Sequence, residues 1–156
     1  MLTRQISQDS VVSQTVDQFT ELRADEQLII LWRIYEMMGE AIHMAAPAVM
    51  FSQMVQSLFA QLLQLQRKEQ IEALQDIASG EETRISVAYG NLSAPLKLAF
   101  WYRLAQAHKR GQFPAVPQAE HLSYKAERLL ENLQQLGFNQ KVTFLQAAVE
   151  ELGQRW

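Results

Sequence analysis

Apolar residues recur at spacings of three and four along almost the whole chain, and nowhere do apolar and polar positions alternate for long enough to make a half-buried strand. The pattern predicts an all-α fold. Val11, Val12, Thr15, Val16 and Phe19 share one face of a first, short helix that Asp9 or Ser10 can cap, which leaves residues 1–8 as a flexible N-terminal arm. A longer helix starts near Ala24, places Asp25 and Glu26 at the positive end of its dipole and runs to about Ala45. Pro47 forces Ala46 out of the α region and suits the first turn of the next helix, which carries Phe51 to Leu65.

Arg67 to Ala78 and Glu82 to Tyr89 predict two further helices, stopped at Ser79-Gly80 and at Gly90. Ser93-Ala-Pro95 opens the best-signalled helix, with His108-Lys109-Arg110 in its last turn and Gly111 beyond. Residues 112–118 include Phe113-Pro114-Ala-Val-Pro117 and are expected as an extended connection. Ser123 to Leu136, ending at Gly137, and a last helix capped by Asn139 and ending near Gly153 complete about eight segments. Short connections and the lack of a sustained heptad imply a compact orthogonal bundle. No internal repeat stands out.

A chain of 156 residues with 48% hydrophobic content is expected to be one domain with a sizeable core. Its net charge of −3 argues against a phosphate-neutralising surface, so nucleic acid is not an expected partner. The absence of cysteine removes disulfides, thiolate metal sites and a cysteine nucleophile. No stretch reaches the ~18 uninterrupted apolar residues of a transmembrane span, and the N-terminus lacks a signal-like run, so a soluble, cytoplasmic protein is expected. His43, His108 and His121 fall on different segments, and there is no phosphate loop or nucleophile elbow. Glu40-Ala-Ile-His43 has the spacing of a di-iron half-site, but a second copy is missing, so neither a metal nor an enzymatic activity is expected.

Aromatic placement is the most informative feature. Leu28, Leu31, Trp32, Tyr35, Met38, Gly39 and Ile42 form one stripe; Leu98, Trp101, Tyr102 and Ala105 form another. Core packing explains such stripes, yet an indole N–H or a phenol O–H in a core needs a partner, and ligand walls suit these side chains well. Five of the six methionines, Met37, Met38, Met44, Met50 and Met54, gather near the same corner.

The run Leu31-Trp-Arg-Ile-Tyr-Glu-Met-Met-Gly39, the corner Ala45-Ala-Pro47 and the block Leu96-Lys-Leu-Ala-Phe-Trp-Tyr-Arg-Leu104 resemble the N-terminal, carotenoid-binding domain of the orange carotenoid proteins of cyanobacteria. The likeness continues through Pro114-Ala-Val-Pro117 and Val142-Thr-Phe-Leu145 to Glu151-Leu-Gly153, and it is similar in extent to the single-domain helical carotenoid proteins.

The resemblance implies two four-helix units around a tunnel that holds one non-covalent keto-carotenoid: canthaxanthin, echinenone or 3'-hydroxyechinenone. It implies that Trp32, Tyr35 and Trp101 wall an end ring and the adjoining polyene, with Leu28, Leu31, Leu98, Tyr102, Ala105, Val116, Val142 and Thr143 along the remainder. The implied function is photoprotection by quenching singlet oxygen, with carotenoid carriage and a separate homologue of the family's C-terminal domain as partner, in the cytoplasm near thylakoid membranes. The family's phycobilisome-docking members use an Arg directly after the Thr-x-Leu triplet. Here that position is Gln146, which weakens the phycobilisome quencher as an alternative. A ligand-free helical interaction module is the remaining alternative.

Overall fold

Eight helices make up the regular structure of the described residues, which contain no strand: α1 (Leu2–Thr20), α2 (Ala24–Met38), α3 (Gln53–Leu63), α4 (Arg67–Ser79), α5 (Arg84–Gly90), α6 (Ala94–Lys109), α7 (Tyr124–Gln134) and α8 (Phe138–Glu151). The computed structural model describes residues 2–39, 52–114 and 122–153, with residues 2–9 through their backbone alone. None of these helices is long and apolar enough to cross a membrane.

Boundaries differ from the pattern where local stop signals were misjudged. α1 starts at Leu2 rather than at Asp9, so residues expected as an arm are helical; nothing between Leu2 and Ser10 is Pro or Gly, and the helix propagates through the polar stretch. α2 ends at Met38 rather than near Ala45, because Gly39 turns the backbone to φ +55° and returns its N–H to the Tyr35 carbonyl. The Pro47 corner, the Glu40–His43 pair, and most of the 112–118 connection lie outside the described residues. The last helix begins one residue after Gly137, whose N–H is taken by the Gln140 side chain at 3.0 Å, so Asn139 is helical rather than a cap.

A single corner recurs four times. α1–α2, α3–α4, α5–α6 and α7–α8 are joined by turns in which a leucine N–H donates to the carbonyl three residues back: Leu22 to Phe19, Leu65 to Leu62, Leu92 to Tyr89 and Leu136 to Leu133, at 3.0–3.2 Å. The next residue, Arg23, Gln66, Ser93 or Gly137, is extended with φ near −70°, and its carbonyl receives the first helical N–H, from Gln27, Gln70, Lys97 or Lys141. In two corners the same residue also closes the preceding helix through its side chain: buried Gln27 Nε2 donates to Phe19 O at 2.9 Å, and buried Gln70 Nε2 to Leu62 O at 3.0 Å. Each adds a second donor to a carbonyl of the helix end that already accepts from the corner leucine.

These hairpins assemble as two four-helix units. α1 packs on α7 and α8, with α2 against both, while α3 packs on α4, α5 and α6. α2 also lies on α4 and α6, and α6 lies on α8, so these two helices join the units. Phe19 of α1 meets Phe144 of α8 edge-on at 5.7 Å; both side chains are fully buried, and burying a side chain of this size contributes about 1.5–3 kcal/mol.

Candidate functional site

The joining helices carry the two aromatic stripes. Along α2, Leu28, Leu31, Trp32 and Tyr35 are all buried, as are Leu98 and Trp101 along α6. Tyr102 and Ala105 are partly buried against the same core. The Tyr35 hydroxyl donates to the Leu98 carbonyl at 2.8 Å, which fixes where α2 crosses α6. Trp32 meets the imidazole of His108 at 5.4 Å between ring centroids, tilted by 60°. His108 Nδ1 lies 3.0 Å from the Phe113 carbonyl, and since a carbonyl only accepts, that nitrogen carries the hydrogen.

At Trp101 the polar demand of the indole is met inside the protein. Its Nε1–H donates to the Tyr89 hydroxyl at 2.8 Å, and that hydroxyl donates to the Val149 carbonyl at 2.8 Å. Tyr89, Phe100 and Trp101 pack as a mutual aromatic group with centroids 5.5–6.0 Å apart. Burial raises the pKa of Tyr35 well above its usual value, with the Tyr89 phenol adding to the effect. Tyr89 is raised chiefly by burial; the Trp101 hydrogen bond opposes that, and Glu150 adds to it. Both phenols therefore stay neutral. Lys97 places Nζ 5.3 Å from the centroid of the Tyr89 ring, and burial lowers its pKa against the opposing influence of Glu150.

Of the residues expected to form a wall, Leu28, Leu31, Trp32, Tyr35, Leu98 and Trp101 are thus buried, and Tyr102 and Ala105 partly so. Thr143 is a correction: its side chain is exposed and its hydroxyl turns back to the Asn139 carbonyl at 3.0 Å, because the buried stripe of α8 runs through Phe144, Leu145 and Ala148. Val142 is half-buried, and Val116 lies outside the described residues. Sequence reading missed Tyr89, whose only signal was its place before a helix-ending Gly90, and took His108 for a helix-end or boundary residue. No group of three or more His, Cys, Asp or Glu side chains among the described residues stands close enough to hold a metal. Three surface hollows of about 240–290 Å³ lie elsewhere, lined chiefly by polar residues such as Gln18, Glu72 and Gln135.

A second tie fixes α2 against α7. Glu26 Oε2 accepts the Ser123 N–H at 2.9 Å, and Arg23 stands 3.6 Å from the other carboxylate oxygen. Burial acts to raise the Glu26 pKa, but the Ser123 amide and hydroxyl together with Arg23 outweigh it and hold the group below its usual value.

Comparison with known proteins gives a consistent result. The sequence profile of the family described as "Orange carotenoid protein, N-terminal" matches residues 4–155. An orange carotenoid-binding domain-containing protein of Nostoc sp. PCC 7120 is 34% identical over 95% of this chain and 86% of its own length. The orange carotenoid-binding protein of Synechocystis sp. PCC 6803 is 31% identical over 92% of this chain, which spans only 45% of that longer protein. Among solved structures, the orange carotenoid protein of Anabaena (Nostoc) sp. PCC 7120 binding canthaxanthin superposes with a TM-score of 0.79 at 29% identity, covering 90% of this chain and 46% of the other.

Proposed function

The chain belongs to the family of orange carotenoid protein N-terminal domains, and we propose that it holds one keto-carotenoid between α2 and α6 and quenches singlet oxygen. The observation that carries this reading is the disposition of polar tips along the expected wall: the Tyr35 hydroxyl and the Trp101 indole N–H are both committed to protein partners. What remains of those residues for a guest is π-face, and around them Leu28, Leu31 and Leu98 offer only hydrocarbon. A conjugated polyene needs such a wall and nothing else, since aromatic faces stack on it and aliphatic surface holds it by exclusion of water at about 25 cal/mol per Å².

The residues present fit the chemistry of the group: Leu28, Leu31, Trp32, Tyr35, Leu98 and Trp101 would hold it, with Tyr102, Ala105, Val116 and Val142 extending the wall. When bound, the carotenoid supplies the low-lying excited state that takes up energy from singlet oxygen and releases it as heat. The chain's own residues bind the pigment, keep water from it and fix its conformation; none needs to move a proton. Trp32, Tyr35 and Trp101 are only 2–4% exposed, so loading requires the side chains that cover them to part. Canthaxanthin, bound by the solved Anabaena relative, is the first pigment to test, with echinenone and 3'-hydroxyechinenone beside it.

Gln146 is exposed on α8 and carries no charge for a bidentate pair with a carboxylate, which favours oxygen quenching and carotenoid carriage over docking on a phycobilisome. Expression in cells that make canthaxanthin tests the assignment. Orange or red protein with about one pigment per chain, and faster decay of singlet-oxygen phosphorescence than in its colourless form, is the expected result. Colourless protein from pigmented cells would leave the chain as a helical interaction module.

A further inference from the structure

The Tyr89 hydroxyl sits at the meeting point of three helices. Carried by the last turn of α5, it accepts the indole N–H of Trp101 from α6 and donates to the Val149 carbonyl of α8, each at 2.8 Å. Val149 lies in the last turn of α8, where carbonyls lose their intrahelical partners, so the phenol caps that helix while it anchors the indole. We infer that Tyr89 is the positioning residue for Trp101, its hydroxyl fixing the face that the indole turns toward the bound polyene and tying that face to the end of α8.

The recurring corner shows that the hydroxyl is not there to build the turn. Tyr89 gives its carbonyl to Leu92 in the same way as Phe19 gives its own to Leu22, Leu62 to Leu65 and Leu133 to Leu136. Three of the four corners manage with an apolar side chain at this position, one of them a phenylalanine. The extra oxygen at Tyr89 has two partners, an indole and a helix end, and both need it because each is buried among apolar groups where water cannot substitute. Without the acceptor, the Trp101 N–H would lose the bond that sets its direction, leaving the ring to be oriented by packing such as its edge contacts with Tyr89 and Phe100.

The proposal rests on the carotenoid reading for its consequence but not for its first test. Tyr89→Phe, a residue the first corner already uses, should change the near-ultraviolet circular dichroism and the indole N–H Raman band of Trp101 in colourless protein. Loaded with canthaxanthin, the variant should show a shifted absorption maximum and about fivefold faster loss of pigment, the scale of one hydrogen bond. In a Trp101→Phe background, Tyr89→Phe should add no further spectral shift. An unchanged Trp101 signature, or an equal pigment shift in both backgrounds, overturns the assignment. Failure of both proteins to take up canthaxanthin sinks the carotenoid reading alone, with the colourless measurement still deciding for Tyr89. Should the variant not fold, slow exchange of the Trp101 indole proton in D2O is expected of the unmodified chain, and rapid exchange would count against the bond.

Discussion

The two buried tryptophans, Trp101 on α6 and Trp32 on α2, are held by different means. At Trp101 the indole is hydrogen-bonded, flanked by Tyr89 and Phe100, and linked to the last turn of α8. At Trp32, among the described residues, the ring contact is a tilted one with half-buried His108. Burial is nearly equal at the two, so exposure alone does not separate a fixed residue from an adaptable one. Directional bonds specify one orientation; contact area tolerates several. On the proposed carotenoid reading, the fixed end, at Trp101, would set the geometry of a bound pigment, and the packed end, at Trp32, would adjust to its ring.

The strongest way to break this contrast is to loosen the fixed end at its base. Gly80 and Gly153 cross there: a Cβ on Gly80 would stand 2.4 Å from the Gly153 carbonyl oxygen, and Gly80 has φ +74°. Gly80→Ala therefore combines a left-handed backbone with a backbone collision, and roughly 2–4 kcal/mol of stability should be lost in urea unfolding. A loss within a few tenths would mean that the ends of α4 and α8 part easily and that the fixed end is no anchor.

A finer test compares like with like. Trp101→Phe removes the donor from a buried phenol oxygen as well as a ring, so it should cost about 1 kcal/mol more than Trp32→Phe in the same unfolding experiment. Equal costs would erase the distinction between the two ends.

The smallest effect is expected from the α2–α7 tie near the packed end. The folded-state pKa of Glu26 is depressed, so its contribution is complete above the ordinary carboxylate value of 4.5 and is lost as pH falls through the lower folded value. Glu26→Gln keeps an acceptor for the Ser123 N–H and should cost under about 1 kcal/mol at neutral pH. Its stability should fall less steeply on acidification than that of the unmodified chain; identical acid profiles would show that Glu26 is not linked to folding.

Much of this was legible along the chain because it is written in local periodicity. The stripe from Leu28 to Tyr35 and the block from Leu98 to Trp101 repeat at helical spacing, and both are buried as that spacing requires. Gly80 ends α4 in the left-handed conformation that glycine favours, and α6 opens after Ser93 with Pro95 in its first turn, though the Ser93 hydroxyl makes no cap hydrogen bond. The start of α1 was not legible, since a polar stretch without Pro or Gly carries no signal against further helix. The fourfold corner was hidden as well: its shared residues are a leucine and, five positions on, Gln27, Gln70, Lys97 or Lys141, too few and too varied to register as a repeat. Tyr89 escaped notice because its partners lie 12 and 60 residues away.

Sequence by itself determined the helices, the apolar faces they bury and the absence of cysteine chemistry, because each follows from the identity of residues within a turn or two of one another. Which polar tip meets which carbonyl was decided only in three dimensions. A hydrogen bond between α5, α6 and α8 depends on the crossing of whole helices, and that crossing is set by the sum of many side-chain contacts rather than by any local spacing.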